Sequence, residues 1–273
     1  MRRTKHVLRG IGKGLHFSTL LAGCALDFIG RVRGGSLSER ARWNQKWCRH
    51  LLRALAVSVD TRFTAAPAGL IVGNHLGYLD ILVLGAQQPL VFVAKAEVRS
   101  WPVLGWLTQH AGTIFIRRDR RSDLLRVRAA VETAVATGAT VAVFPEGTSS
   151  DGRTIRPFHP GLFVSAAEHA WPVTPFWLAY ELDDGSVADE VCYWREMTFL
   201  PHFLNLLTKR RIIARLRQGS PLTPDGDRKQ LSLTAHNAVV QLAEIARNER
   251  PFSKVESDPA ASLVAPTMAR SAR

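Results

Sequence analysis

Residues 69–80 read GLIVGNHLGYLD, and this stretch decides the fold class. Its first four residues form a short apolar run typical of a buried strand, and the polar turn that follows leads into a helix. His75 therefore lies at the carboxyl end of a strand, where α/β proteins place functional side chains. Asp80 follows on the first turn of the predicted helix. An Asp that holds one imidazole nitrogen makes the other a general base, although such a pair can also merely cap a helix.

The same alternation of apolar runs and helical segments continues along the chain. Strands are predicted at 69–72, 90–93, 113–116, 140–144, 173–180 and 211–217. Helices are predicted at 78–87, 102–109, 122–137, 161–169 and 228–248. This order predicts an α/β fold, with a mostly parallel sheet covered by helices and an N-terminal amphipathic helical segment that contacts a membrane.

Charge and composition divide the chain into three parts. Residues 1–58 are predicted to form basic and apolar helices, 59–250 the main domain, and 251–273 a disordered tail rich in Pro, Ser, Ala and Arg. The net charge is +13, from 36 Lys+Arg against 23 Asp+Glu. Residues 1–60 alone hold 12 basic and 3 acidic residues. A surface this basic predicts an anionic partner, either nucleic acid, anionic lipid or a phosphorylated substrate.

Two N-terminal segments favour a membrane surface. The apolar stretch Leu15–Ile29 is interrupted by Asp27 and is shorter than the ~20 residues that span a bilayer, so a half-buried helix at the interface is predicted. Residues 38–57 form an amphipathic pattern with Trp43 and Trp47 beside basic residues. Such a helix either lies among lipid headgroups or packs on the core, and its apolar neighbour favours the headgroups. We therefore expect a peripheral or monotopic protein on the cytoplasmic face of the inner membrane.

Two further motifs end predicted strands. FPEGT at 144–148 places a carboxylate, a flexible glycine and a hydroxyl where they can orient a polar substrate. GTIFIRR at 112–118 ends in paired arginines, which can grip a phosphate through a bidentate fork. Each motif alone is also compatible with an ordinary strand-end turn or with solvated surface cations.

Together these motifs have a known order. The chain resembles the glycerolipid acyltransferase family, best known for 1-acylglycerol-3-phosphate acyltransferases, over about residues 60–220. The matching blocks are NHLGYLD at 74–80, GTIFIRR at 112–118, FPEGT at 144–148 and VTP at 173–175.

The resemblance implies a role for each matching residue. His75 is the general base, and Asp80 is its orienting partner. The residues expected to bind the substrate are Lys95, Arg118, Glu146, Gly147 and Thr148. One departure concerns the position after the Glu-Gly-Thr block, where the family commonly has Arg and this chain has Ser149. Arg153, the nearest arginine downstream, is expected to take over.

The implied function is transfer of a fatty acyl group from acyl-CoA or acyl-carrier protein to the hydroxyl of a lysophospholipid. The first choice of acceptor is 1-acyl-sn-glycerol-3-phosphate, giving phosphatidic acid, and the alternative is lyso-ornithine lipid or another lysolipid. No cofactor or metal is expected, because the sequence holds no His/Cys/Asp cluster with ligand spacing. A basic nucleic-acid-binding protein is a distant alternative without a recognisable module, so no nucleic-acid partner is expected. A serine hydrolase is disfavoured because Gly-x-Ser-x-Gly is missing.

Overall fold

The computed structural model describes residues 2–101, 104–117 and 121–249. Its helices are α1 (Arg2–Arg31), α2 (Leu37–Ala54), α3 (Leu79–Gln87), α4 (Leu104–His110), α5 (Arg121–Ala136), α6 (Val164–Glu168), α7 (Val187–Glu190), α8 (Phe199–Thr208) and α9 (Arg228–Asn248), with short 3₁₀ helices at Ala96–Ser100 and Pro160–Phe163. Its strands are β1 (Val57–Arg62), β2 (Gly69–Gly73), β3 (Val91–Lys95), β4 (Ile114–Ile116), β5 (Thr140–Val143), β6 (Val173–Leu182) and β7 (Ile212–Gln218). The predicted tail at 251–273 lies outside the described residues.

The strands form one mixed sheet in the order β1-β7-β6-β2-β5-β3-β4. Every neighbouring pair is parallel except β6 and β7, which run antiparallel. The predicted α/β class, with a mostly parallel sheet covered by helices, is confirmed. Strand β2 lies in the middle and is buried along its whole length, so the turn that follows it is held from both sides.

The two faces of the sheet hold separate cores because successive side chains of a strand point to opposite faces. On β2, Leu70 and Val72 pack into the core covered by α5, α6 and α9. Ile71 between them packs into the other core, which also takes buried side chains from α1, α2, α3 and α8. The N-terminal helices therefore share a core with the sheet.

Strand β1 was not predicted, and the helix predicted at 38–57 is too long. Helix α2 ends at Ala54, and Ala56 adopts the left-handed conformation with φ 57° before β1 begins. The segment VSVDTR has one buried residue, Val57, and four polar ones. Its pairing partner β7 lies far away in sequence, so no local pattern marks it as a strand.

Helix α2 packs on the core, and the preference for a headgroup position was wrong. Trp43 and Trp47 are only 4% and 8% exposed. The Trp47 indole N–H donates to Asp27 of α1 at 2.8 Å, and Lys46 forms an ion pair with the same carboxylate at 2.9 Å. Asp27, which interrupts the apolar run, thus joins α1 to α2.

Helix α1 is half-buried against the protein core and is longer than its apolar stretch, and its predicted position at a membrane interface stays a prediction. Phe17, Cys24 and Phe28 are buried against the core, while Leu15 and Leu26 are exposed. Within the described part of the chain, no helix is both long enough and apolar enough to cross a membrane.

Candidate active site

The candidate site is built on the turn between β2 and α3. His75 follows the end of β2, beside the turn that follows the neighbouring strand β5. Its imidazole stacks on the ring of Phe144, with centroids 4.1 Å apart. The side chain is 22% exposed, so one edge of the ring is open to a substrate.

His75 and Asp80 form the hydrogen-bonded pair that the sequence predicts. The imidazole Nδ1 lies 2.7 Å from Asp80 Oδ2, and Asp80 is fully buried. A carboxylate accepts only, so Nδ1 carries the proton and Nε2 presents its lone pair. This is the arrangement of a general base with an orienting partner.

Asp80 is fixed by three further hydrogen bonds. Its Oδ2 accepts from the backbone N–H of Leu76 at 2.7 Å and of Gly77 at 3.0 Å. Its Oδ1 accepts from the hydroxyl of Tyr180 at 2.7 Å. The carboxylate therefore cannot turn away from His75. Tyr180 belongs to no motif and comes from β6, so the sequence gives no signal for it.

Glu146 holds the same turn through a hydrogen bond to the backbone of His75. It is only 4% exposed, and its Oε1 accepts from the backbone N–H of His75 at 3.3 Å. Burial raises the pKa of this carboxyl to about 8. Its Oε2 is buried without a hydrogen-bond partner among the described residues. Glu146 thus shapes the turn as a mostly neutral carboxyl at pH 7.

Beside this turn lies a mostly apolar cavity of about 240 Å³. His75 and the turn residues Gly147, Thr148 and Ser149 contribute to its lining. Other lining residues come from α2, α3, β3 and α4, and include Cys48, Leu51, Ile81, Phe92 and Leu107. His75 therefore opens onto a space suited to an apolar group. The contribution of α2 could not be expected from motifs, because this helix precedes the matching blocks.

Three predicted site residues remain, Lys95, Arg153 and Arg118. Lys95, at the end of β3, lines the cavity. The side chain of Arg153 is 81% exposed and lies 3.5 Å from Asp151, and it is not among the described residues that line the cavity. Arg118 lies outside the described residues. Their predicted roles stay predictions. Among the described residues no cluster of three or more His, Cys, Asp or Glu side chains is arranged to hold a metal ion.

A segment that sequence reasoning missed completes the cavity. Tyr193, Trp194 and Arg195 line it beside the 147–149 turn. The only sequence signal is two aromatic residues next to an arginine in a loop, which occurs in many unrelated proteins. Their position becomes visible only when the chain after β6 folds back over His75.

The raised pKa of Glu146 predicts a pH-dependent stability. Between pH 4.5, its ordinary pKa, and about 8, the unfolded chain has lost this proton while the folded protein keeps it. Ionisation then favours the unfolded state, so this group lowers the unfolding free energy as pH rises, by up to about 1.4 kcal/mol per pH unit. Glu146→Gln has no carboxyl at this position, so this fall in unfolding free energy does not occur in the variant. Urea unfolding at several pH values should show the variant gaining stability relative to the parent between pH 5 and 8.

The matched control is Glu244→Gln on the exposed face of α9. Its unfolding free energy should follow that of the parent at every pH. Parallel curves for Glu146→Gln and the parent would mean that Glu146 is ionised in the folded protein.

The chain is similar to known acyltransferases. A family model described as Acyltransferase matches residues 55–179. The lyso-ornithine lipid O-acyltransferase of Pseudomonas aeruginosa is 36% identical over 213 residues, covering 77% of this chain and 81% of that protein. The 1-acyl-sn-glycerol-3-phosphate acyltransferase of Neisseria meningitidis is 36% identical over 176 residues, covering 60% and 69%. The fold resembles the crystal structure of the 1-acyl-sn-glycerophosphate acyltransferase PlsC of Thermotoga maritima, with a TM-score of 0.68 at 20% identity, covering 93% of this chain and 100% of that one.

Proposed function

The chain belongs to the glycerolipid acyltransferase family and is a lysolipid acyltransferase, and from this premise we propose how it acts and on which lipid. The observation that carries the proposal is the pair His75–Asp80, which opens onto an apolar cavity. A thioester carrier, acyl-CoA or acyl-carrier protein, places its acyl chain in this cavity with the carbonyl beside His75.

His75 removes the proton from the acceptor hydroxyl through Nε2 as the hydroxyl oxygen attacks the thioester carbonyl. The imidazolium that forms is stabilised by Asp80 at 2.7 Å. The turn at 147–149 lines the same cavity, and the backbone N–H groups of Thr148 and Ser149 are the candidates to bind the oxyanion of the tetrahedral intermediate. When this intermediate collapses, the C–S bond breaks, the thiolate takes the proton from His75, and the acyl ester is released.

The first candidate acceptor is 1-acyl-sn-glycerol-3-phosphate. Cations at Lys95 and Arg195 line the cavity and suit a phosphate. Lyso-ornithine lipid is the second candidate. It is favoured by Ser149, which stands where the family commonly has Arg, and by the likeness to the Pseudomonas aeruginosa enzyme over most of both chains.

The test is acyl transfer by purified protein in detergent micelles or liposomes, with each acceptor in turn and with acyl-CoA or acyl-carrier protein as donor. Ester formation on the phosphate acceptor supports the first candidate, and ester formation on lyso-ornithine lipid alone supports the second. Absence of transfer to both would refute the proposal.

An exposed apolar surface supports attachment to a membrane. On α1 it comprises Leu8, Ile11, Leu15, Leu26 and Ile29, each at least 56% exposed. Helix α8 adds Leu200 and Leu204 and packs on α1 through Phe203 and Phe17, whose ring centroids are 5.1 Å apart. With the basic charge of residues 1–60 around it, this surface suits the interface of an anionic bilayer. We place it on the cytoplasmic face of the inner membrane.

Leu15→Glu/Leu26→Glu is expected to weaken binding to anionic vesicles about tenfold or more, because two leucines no longer enter the bilayer and two negative charges repel it. Co-sedimentation with vesicles measures the effect. The control is Leu233→Glu/Ile245→Glu, which places the same charges at leucine and isoleucine side chains of α9 that are 54% and 56% exposed. Equal binding by both double variants would contradict the assigned surface.

A further inference from the structure

The segment Tyr193–Arg195 is tied to both catalytic turns. The backbone N–H of Tyr193 donates to the carbonyl of Leu76 at 2.7 Å, next to His75. Its carbonyl accepts from the hydroxyl of Ser149 at 2.5 Å. A Cβ at Gly77 would lie only 2.9 Å from the Tyr193 nitrogen, so this glycine permits the close approach. The segment is therefore part of the site wall.

Arg195 is held in an unfavourable conformation at this wall. Its φ is +53°, in the left-handed region that side chains other than glycine rarely adopt. The guanidinium carbon lies 3.9 Å from the centroid of the Trp194 ring, and the Trp194 indole N–H donates to the carbonyl of Ala188 at 2.8 Å. Such strain persists where the surroundings impose it, and it clusters at functional sites.

Among the described residues, the Arg195 guanidinium forms no ion pair, although it lines the cavity with His75. Stacking on Trp194 holds the planar group in place and leaves its N–H donors available. Five donors in a fixed fork suit a phosphate or a carboxylate.

Ser149, at which the chain departs from the family pattern, contacts the Tyr193–Arg195 segment. The family commonly has Arg at this position, and here the serine hydroxyl instead fastens the carbonyl of Tyr193. Position 149, where the arginine is missing, thus holds the segment that carries Arg195. We propose that Arg195 binds the anionic group of the acceptor headgroup. This inference rests on the proposed function and names one determinant of its substrate specificity.

Each of the two candidate acceptors carries one anionic group that Arg195 could bind. The anion is the phosphate of 1-acyl-sn-glycerol-3-phosphate or the carboxylate of the ornithine headgroup. Arg210 has a side chain that is 72% exposed and pairs with Asp183 at 3.2 Å, and it is not among the described residues that line the cavity. It therefore provides a matched control for the same substitution.

The experiment compares Arg195→Gln, Arg195→Lys and Arg210→Gln with the parent enzyme. Acyl transfer to both anionic acceptors and to neutral 1-monoacylglycerol is measured in mixed micelles. For Arg195→Gln we expect the KM for an anionic acceptor to rise about tenfold or more, since a hydrogen bond to a charged group is lost. We expect kcat, the donor KM and the rate on monoacylglycerol to stay within about threefold of the parent. Arg195→Lys should be intermediate, and Arg210→Gln unchanged.

Calorimetric titration with each anionic lysolipid provides a readout that does not require turnover. Weaker binding by Arg195→Gln, with parent-like binding by Arg210→Gln, supports the inference even when neither acceptor is acylated, so it can survive failure of the proposed function. Parent-like binding by Arg195→Gln overturns it while leaving acyl transfer intact. A rise in the donor KM, or an equal loss with monoacylglycerol, also overturns it, because Arg195 would then contact the donor or only support the loop. A parent protein that neither binds nor acylates these lipids overturns both proposals.

Discussion

His75→Ala is expected to lower kcat/KM for acyl transfer by about 10³–10⁴, close to the upper end of what a general base supplies. Nδ1 is committed to Asp80, so Nε2 is the ring nitrogen that can take the proton. No other histidine among the described residues lines the cavity. Binding of donor and acceptor should persist, since the apolar lining of the cavity is unchanged. The loss should therefore appear in kcat more than in KM.

The control for this variant is His169→Ala. His169 is 48% exposed, follows α6 and stacks on Trp171 away from the cavity. Its removal should leave kcat within about twofold of the parent. Thermal unfolding of both variants separates a chemical defect from a folding defect. Substantial turnover by a folded His75→Ala protein would remove His75 from the reaction.

The contact between His75 and Asp80 could be predicted from the sequence because both residues belong to one local unit. A strand that ends at Gly73 and a helix that starts at Leu79 leave a turn just long enough to bring Asp80 back to His75. The Phe144–Thr148 turn could be placed for a similar reason. Carboxyl ends of parallel strands meet at one edge of the sheet, and β2 and β5 are direct neighbours.

The parts that could not be predicted depend on contacts between distant segments. Tyr180 reaches Asp80 across 100 residues, and Tyr193 reaches Leu76 through backbone atoms only. A contact through backbone atoms does not depend on the residue type, so the sequence does not indicate it. The tryptophans of α2 show the complementary problem, because the sequence pattern of an indole is the same at a lipid interface and in a protein core. The hydrogen bond to Asp27 places Trp47 in the core, and Trp43 is only 4% exposed there.

Ser149 shows how a departure from a pattern can carry information. The missing arginine after Gly147 and Thr148 removes a cation that the family pattern would place there, and Arg153 is the next arginine along the chain. Among the described residues, Arg153 does not line the cavity, whereas Arg195 does, although Arg195 comes from a loop about 45 residues downstream of Ser149. Sequence distance is a poor guide here because the end of β6 returns to the same edge of the sheet as β2.

Asp80→Asn is expected to lower kcat by about 10²–10³ while the fold is retained. The backbone N–H groups of Leu76 and Gly77 cannot turn away, so the amide oxygen of the new side chain must face them and His75 Nδ1. The amide NH₂ then faces the hydroxyl of Tyr180, which can rotate to accept. All four hydrogen bonds are kept, and His75 keeps its tautomer. What disappears is the negative charge beside the imidazolium, and breaking a buried charge pair costs about 3–5 kcal/mol.

Asp80→Ala separates this charge effect from the loss of the hydrogen bonds. It leaves three N–H donors and one hydroxyl without their acceptor in a buried place, which costs about 1–3 kcal/mol for each unsatisfied group. We therefore expect a clearly lower melting temperature and a larger loss of kcat than in Asp80→Asn, whose melting temperature should fall by only a few degrees. Asp183→Asn, at an aspartate beyond β6 that pairs with exposed Arg210, is the control for the same chemical change. If Asp80→Asn turned over like the parent, the charge would be unnecessary, and Asp80 would act through hydrogen bonding alone.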